Sequence, residues 1–248
     1  MFFSGTDSEK KGKEVRTNLY FFAENQMLDC NQYIIKDPTT NELALFDTGN
    51  SISLNGLFRG MQKFNLNPSN IRKVFLTHEH VDHVLGLYPL MKLCMSNPLE
   101  IFAYGETAKI LIEGDESRIF PGNLGISPSM FGVEIIPLKV TDLTNTKEIQ
   151  ISSEYKFQIH YTPGHSLGSI SYYDSNKKIL IPGDLVFTGG SFGRYDFPGG
   201  SLSDLINSIK YVSNLDVDYL LPGHMGISDH GNQQIAFSYK MIQSISFF

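Results

Sequence analysis

The strongest constraint on this chain is a cluster of metal-binding side chains at residues 77–83, which read Thr-His-Glu-His-Val-Asp-His. Three of the seven histidines in the whole sequence fall within it. Imidazole nitrogens and carboxylate oxygens are the usual donors to zinc and similar divalent ions. The mostly apolar run at 73–76 predicts a buried strand just before the cluster. We therefore expect the cluster at the carboxyl end of a strand, where open α/β sheets place their sites.

The spacing of these donors favours a loop over a helix. In an extended or turning segment, side chains two residues apart point to the same side, so His78, His80 and Asp82 all point the same way. A helical zinc site would instead place two histidines four residues apart. The alternative interpretation is three surface histidines in a polar loop. It does not explain why further candidate metal donors occur later in the chain.

Similar donors follow other predicted strands. His165, Asp184 and His224 each come directly after a Pro-Gly pair, and each taken alone could be an ordinary turn residue. Together with the first cluster they make seven candidate metal ligands: His78, His80, Asp82, His83, His165, Asp184 and His224. Five histidines and two aspartates are too many for one closed tetrahedral site, but they suffice for two metal ions that share a carboxylate.

The predicted strands and helices form two successive sets along the chain, and no linker segment separates the two sets. Apolar runs predict strands at 17–22, 31–35, 43–46, 71–76, 99–103, 133–137, 149–152, 155–161, 169–173, 178–181 and 217–221. Apolar positions at helical spacing predict helices at 54–64, 85–95, 106–113, 202–212 and 233–245. We therefore predict a single domain, 17–248, after a polar leader, 1–16, whose basic residues form a solvated tail.

The segment 114–132 differs from its surroundings because glycines and prolines interrupt regular structure there. A loop of this length is uncommon unless it is functional or mobile. Two interpretations stay open. The segment is either a lid, in which Phe120, Met130 and Phe131 favour an apolar acyl group near the metals, or ordinary packing against the surface.

Composition argues against several classes of function. A net charge of −6 disfavours general binding to nucleic acids and other polyanions. No apolar run approaches the length of a membrane span, and the first residues do not form a recognisable signal peptide. We therefore expect a cytoplasmic protein without a membrane partner. The two cysteines, Cys30 and Cys94, give no disulfide framework and are expected to be small core residues.

The pattern His-x-His-x-Asp-His at 78–83, with the later His165, Asp184 and His224, resembles that of the metallo-β-lactamase superfamily. The resemblance begins near Asp47 and covers nearly the whole chain. The spacing of the later donors and the residues Gly-Arg-Tyr-Asp at 193–196 are most similar to the branch of hydroxyacylglutathione hydrolases (glyoxalase II) and persulfide dioxygenases. This resemblance implies an α/β fold, the four-layer αββα sandwich of two mixed β-sheets with helices outside.

The resemblance also implies a role for each candidate ligand. One metal ion would be held by His78, His80 and His165, a second by Asp82, His83 and His224, and Asp184 would bridge the two. Two zinc ions are the implied cofactors, with iron or manganese as alternatives.

Five further residues carry weaker expectations. Asp47 would position ligand histidines from behind. Glu79 stands where flavodiiron relatives carry a ligand, and here it is expected to be solvated or to support a ligand. The period of two along strand 155–161 puts His160 on the polar face, away from the metals. His230 either approaches the site or caps the last helix, and Arg194 either recognises a carboxylate or pairs with a neighbouring aspartate.

The implied function is that of a metallo-hydrolase, a glyoxalase II-like thioesterase or esterase that cleaves an ester, thioester or lactone of a small molecule. A hydroxide shared by two zinc ions would attack the acyl carbon, and Asp82 would orient it and receive its proton. The nearest alternative is a persulfide dioxygenase with one iron ion on His78, His165 and Asp184. An RNA-processing phosphodiesterase, which needs basic residues for phosphates, a β-lactamase and a non-catalytic metal-binding module rank lower. The sequence does not indicate an oligomeric state.

Overall fold

The strands of this chain pair into two mixed β-sheets. The computed structural model describes residues 8–95, 98–120 and 125–245. The first sheet has the order β1 (Gly12–Arg16), β2 (Leu19–Phe22), β3 (Gln32–Lys36), β4 (Leu43–Phe46), β5 (Ile71–Phe75), β6 (Glu100–Ala103) and β7 (Thr141–Asp142). The second has the order β12 (Tyr219–Leu220), β11 (Ile179–Ile181), β10 (Ile170–Asp174), β9 (Lys156–Tyr161) and β8 (Glu148–Gln150).

Seven α-helices of the described residues connect and cover these strands. They are α1 (Leu54–Gln62), α2 (Val81–Val84), α3 (Leu87–Leu93), α4 (Gly105–Glu113), α5 (Glu116–Ile119), α6 (Leu202–Val212) and α7 (Gly231–Ile245). The N-terminus of α6 is capped, since the Ser201 side chain accepts a hydrogen bond from the backbone N–H of Asp204. Among the described residues, no helix combines the length and hydropathy that crossing a membrane requires.

The two sheets pack face to face because alternate side chains of each strand point to opposite sides. In β4, Ala44 and Phe46 face the second sheet, whereas Leu45 lies in the core beneath the helices. The ring of Phe46 contacts Phe157 and Tyr172 of the second sheet, with centroid distances of 5.5 and 5.2 Å. Aromatic pairs at such distances stabilise a core beyond the area that they bury.

Helices cover the outer face of each sheet. Leu57 of α1 and Leu111 of α4 are buried in the core outside the first sheet. Ile209 of α6 and Ile242 of α7 are buried in the core outside the second sheet. The predicted four-layer αββα sandwich is therefore confirmed.

The leader contributes to the fold, so the prediction of a solvated tail at its basic residues is wrong. Residues 12–16 form β1, which pairs antiparallel with β2 and covers an edge that would otherwise be exposed. The Lys10 side chain is fully buried, and its Nζ lies 2.8 Å from Asp29 Oδ2. The same ammonium group donates a hydrogen bond to the Cys30 carbonyl at 3.0 Å.

The strand predicted at 133–137 does not form. Val133 and Ile135 instead pack on the core outside the first sheet, partly buried. Pro137 has no N–H for a sheet ladder, and the following Leu138 N–H donates to the Leu111 carbonyl of α4 at 2.9 Å. The apolar pattern of this segment therefore reflects packing against a helix rather than strand pairing.

The segment 114–132 is only partly irregular. It contains α5 and a short 3-10 helix, Pro128–Phe131, and its residues 121–124 lie outside the described part of the chain. Phe120 and Phe131 are buried in the core outside the first sheet, with ring centroids 6.0 Å apart. These two rings pack as the second interpretation expected, and they do not face the candidate ligands.

The buried contact of Lys10 predicts a large effect on stability. Lys10→Ala leaves the Asp29 carboxylate buried without its cation, which costs roughly 3–5 kcal/mol of unfolding free energy. Urea unfolding followed by circular dichroism measures this change. The control is Lys13→Ala, an exposed residue of β1, for which we expect almost no effect. Equal, small effects of both changes would show that the leader does not anchor the fold.

Candidate metal centre

The seven candidate ligands lie at one rim of the sandwich. They follow β5 (His78, His80), β9 (His165), β11 (Asp184) and β12 (His224), or lie within α2 (Asp82, His83). β9 and β11 are both antiparallel to β10, and β12 is parallel to β11, so the carboxyl ends of all three meet at one edge. The helix predicted at 85–95 is present as α3, and a separate short helix, α2, precedes it and presents Asp82 and His83 to this rim.

The first group of ligands consists of three buried histidines. His165 Nε2 lies 2.8 Å from His80 Nδ1 and 3.2 Å from His78 Nε2. Burial lowers the pKa of all three imidazoles. Repulsion from neighbouring histidines adds to this effect for His78 and His165, and the pKa of His165 falls to about 4. Neutral imidazoles with converging lone pairs are suited to one metal ion.

The second group combines carboxylates with the other two histidines. Asp82 Oδ2 lies 3.2 Å from His224 Nε2 and 4.0 Å from His83 Nε2. Burial by itself would lower the pKa of His224, but the carboxylates of Asp184, Asp82 and Glu24 raise it strongly. This group is therefore richer in negative charge than the three histidines, and it can hold a second cation.

Asp184 lies between the two groups. Its Oδ2 is 3.5 Å from His165 Nε2 and 3.1 Å from His224 Nε2, and its Oδ1 is 3.3 Å from His83 Nε2. Gly223 permits this position, since a Cβ there would come within 2.1 Å of Asp184 Oδ1. The structure thus brings all seven predicted side chains together, with one carboxylate in contact with both groups.

Two buried atoms of the centre show that a cation fits it. His83 Nε2 and Asp184 Oδ1 are shielded from solvent, and neither forms a hydrogen bond with any described residue. Leaving such atoms unpaired is costly in a folded protein. Both atoms are metal donors, and both face the other ligands, so a divalent ion would satisfy them.

Asp47 orients His83, as the sequence predicted. Its Oδ2 accepts a hydrogen bond from His83 Nδ1 at 2.9 Å, so that the Nε2 lone pair of His83 faces the centre. The Asp47 carboxylate also accepts hydrogen bonds from the N–H and the hydroxyl of Thr77, both at 2.8 Å. Asp47 itself has a positive φ of 54°, which is uncommon for a residue other than glycine.

Glu24 performs the corresponding task for His224, and sequence reasoning missed it. Its Oε2 accepts a hydrogen bond from His224 Nδ1 at 2.7 Å, and its Oε1 accepts one from the Met225 N–H at 2.9 Å. Asn31 holds the same loop, because its side-chain amide donates to the carbonyls of Pro222 and Met225. Glu24 and His224 are 200 positions apart, so no local signal could have joined them.

Glu79 is buried, so of its two expected roles the support of a ligand is the one that the structure favours over a solvated side chain. Its Oε2 accepts hydrogen bonds from Thr107 Oγ1 at 2.7 Å and from Ser166 Oγ at 2.9 Å. Ser166 follows His165 directly, and Glu79 therefore supports the loop that carries this ligand. His165 is further oriented by its Nδ1, which donates to the Arg194 carbonyl at 2.6 Å.

The remaining singled-out residues lie outside the donor cluster. His160 contacts the Tyr211 hydroxyl through its Nδ1 at 2.7 Å, and His230 is exposed at the start of α7, where its carbonyl accepts from the Gln233 N–H. Cys30 is buried as expected, but its Sγ also lies within 4.8 Å of ligand atoms of Asp47 and His83.

A cavity of about 350 Å³ opens onto the ligands. Five of the donors line it: His80, Asp82, His165, Asp184 and His224. The centre is therefore accessible to a small molecule rather than sealed, which distinguishes it from a purely structural metal site.

Comparisons with known proteins agree with this geometry. The family model described as the metallo-beta-lactamase superfamily matches residues 26–224, a range that contains all seven candidate ligands. A probable metallo-hydrolase of Methanocaldococcus jannaschii is 33% identical over 202 residues, which are 80% of this chain and 88% of that protein. The hydroxyacylglutathione hydrolase GloC of Haemophilus influenzae is 31% identical over 208 residues, 82% of this chain and 89% of that protein.

Solved structures share the fold as well. The crystal structure of TTHA1623 in a di-iron-bound form matches with a TM-score of 0.65 and 25% sequence identity. The match covers 85% of this chain and 95% of the TTHA1623 chain. Proteins of this fold bind metal ions, and this solved neighbour holds two iron ions.

The position of Glu24 predicts an effect on one metal position only. Glu24→Gln removes the negative charge behind His224, and such supporting residues typically contribute a factor of about 10–100 in metal affinity. We expect weaker binding of one of two metal ions in chelator competition, with the affinity of the other unchanged. Glu42→Gln, on an exposed turn, is the control. Equal affinities in both variants would mean that Glu24 does not support a ligand.

Proposed function

We propose that this chain, which belongs to the metallo-beta-lactamase superfamily, is a hydrolase that cleaves an ester, thioester or lactone with the help of two zinc ions. The observation that carries the proposal is the position of Asp184. Its two carboxylate oxygens approach His165 on one side and His83 and His224 on the other. A carboxylate that bridges two cations requires this arrangement.

The two groups of ligands define the proposed metal positions. The first is His78, His80 and His165, and the second is Asp82, His83 and His224, with Asp184 shared. Bound divalent ions supply Lewis acidity, which polarises a carbonyl oxygen and lowers the pKa of a coordinated water. The protein keeps three of the imidazoles, those of His83, His165 and His224, in one orientation, because Asp47, the Arg194 carbonyl and Glu24 accept from the ring nitrogens that face away.

Asp82 is the proposed catalytic carboxylate. It lines the cavity and is less buried than Asp184, with 16% of its side chain exposed against 8%. A carboxylate at the boundary between ligands and cavity can accept the proton of an attacking water on the substrate side. A small-molecule substrate suits the dimensions of the cavity, and the net charge of −6 disfavours a nucleic acid.

The di-iron-bound relative makes iron chemistry a second candidate, that of a persulfide dioxygenase. Such an enzyme would need only His78, His165 and Asp184. The other four candidate ligands, and the support of His83 and His224 by Asp47 and Glu24, would then have no function at the metal. This surplus of organised donors favours the two-metal hydrolase.

Removal of the metal tests the proposed hydrolysis. Dialysis against a chelator should abolish turnover of ester and thioester substrates, and zinc added back should restore it, since the proposed nucleophile is a water whose pKa the bound ions would lower. Metal content is followed by mass spectrometry throughout. Full turnover by metal-free protein would rule out the proposal, and oxygen uptake with a persulfide by iron-loaded protein would support the dioxygenase.

Replacement of the bridging carboxylate tests the two-metal arrangement. Asp184→Ala removes the one side chain that contacts both groups, so we expect the bound metal to fall from about two ions to one or fewer per chain. Asp229→Ala, a change at an exposed aspartate, should leave the stoichiometry at the original value. A full complement of metal in the Asp184 variant would exclude the bridging role.

A further inference from the structure

The cavity beside the candidate ligands has an apolar wall. Its volume, about 350 Å³, is at the small end of the range of roughly 300–1,000 Å³ for ligand pockets. Beyond the ligands themselves, the wall includes the side chains of Leu28, Ile119, Phe187, Phe192, Phe197 and Met225. Among the described lining residues, Arg194 is the only other one with a polar side chain.

Arg194 adds little polarity to the cavity, because two of the five N–H donors of its guanidinium group are already paired. Its Nε and Nη2 donate to the two carboxylate oxygens of Asp196 at 2.9 and 2.7 Å. The group also lies over the ring of Phe197, 4.3 Å from the centroid. A peptide-like substrate portion in the cavity would therefore find few hydrogen-bond partners among the wall side chains to replace those that it makes with water, which is unfavourable.

Two residues of this wall adopt a backbone conformation that their side chains disfavour. Leu28 has a φ of 56° and Met225 a φ of 66°, in the left-handed region. Hydrogen bonds hold both residues there. Asn50 donates to the Leu28 carbonyl at 2.6 Å, Asn31 donates to the Met225 carbonyl at 2.8 Å, and the Met225 N–H is bound to Glu24. Strain that is maintained in this way at a site is evidence that the position of the side chains has a function.

We infer that this cavity binds the aliphatic acyl chain of the substrate, so that the enzyme acts on esters or thioesters of short to medium straight-chain carboxylic acids. The inference rests on the proposed function for the reaction, but the apolar wall supports it independently. The ring of Phe197 packs edge-on against His80 and that of Phe187 against His224, at 5.5 and 5.7 Å. An acyl chain along these rings would have its carbonyl group at the ligands.

The reaction is an ordinary hydrolysis. The oxygen of water forms a bond to the acyl carbon, and the bond from that carbon to sulfur or oxygen breaks. The products are a carboxylate, a thiol or alcohol that takes up one proton, and a second proton released to solvent. No oxidant or further reactant is needed.

Binding of simple carboxylates tests the inference without depending on turnover. Titration calorimetry of the zinc-loaded protein with straight-chain carboxylates, from acetate to dodecanoate, keeps the charged group constant and varies only the chain. Each methylene that enters the cavity should tighten binding about fourfold, until the cavity is filled. A Kd that does not change with chain length would overturn the inference.

Turnover of the matching thioesters of one small neutral thiol then separates the two proposals. Chain-dependent binding without hydrolysis of any thioester would refute the proposed function and leave the acyl cavity supported. Hydrolysis together with a Kd that does not depend on chain length would support the proposed function and overturn the inference of an acyl cavity.

Substitutions at the two strained residues test whether the wall that they form causes the dependence of affinity on chain length. Leu28→Asn and Met225→Asn remove apolar surface while asparagine tolerates the left-handed backbone. In both variants the gain in affinity per methylene should decrease. Met27→Asn is the matched control, because Met27 is the exposed neighbour of Leu28 and does not line the cavity. In this variant the gain in affinity per methylene, the slope, should equal that of the original protein. Unchanged slopes in both wall variants would overturn the inference.

Discussion

The convergence of seven metal donors at one rim, five of them buried, is the constraint on which the rest of the structure depends. Imidazoles and carboxylates lose much hydration when they are buried, and they persist there only if each polar atom has a partner. For four of the five ligand histidines, the nitrogen that faces away from the centre contacts the protein: Thr77 for His78, Asp47 for His83, Arg194 for His165 and Glu24 for His224. The opposite nitrogens are left to face one another and Asp184.

The centre lies at the junction of the two sheets, and contacts across that junction keep its two halves together. The Tyr172 hydroxyl of the second sheet donates to the Leu76 carbonyl, directly before the first ligand cluster. In the other direction, the Tyr33 hydroxyl of the first sheet donates to the Pro222 carbonyl, at the start of the loop with His224. Because the aromatic rings between the sheets are tightly packed, the distances between the ligands are set by the core rather than by the loops.

The leader is connected to the cavity wall through a buried ion pair. Lys10 binds Asp29, and Asp29 also accepts a hydrogen bond from the Ser53 hydroxyl at 2.7 Å. This buried pair anchors the segment 28–31, which carries both Leu28 of the cavity wall and Asn31, the side chain that holds the His224 loop. Residues far from the metals in sequence thus determine the shape of the space in which a substrate would lie.

The sequence alone determined the seven candidate ligands, because these depend on local patterns: donors at strand ends and Pro-Gly turns. The resemblance to a known family that these residues carry then implied the layered fold and the role of Asp47. Only the tertiary structure decided that residues 12–16 form a strand, that 133–137 do not, and that Phe120 and Phe131 pack away from the ligands. It alone identified Glu24 as the partner of His224. The reason is that pairing partners, burial and cavity walls are set by contacts between distant segments, and a linear pattern of residue types carries no record of which segments meet.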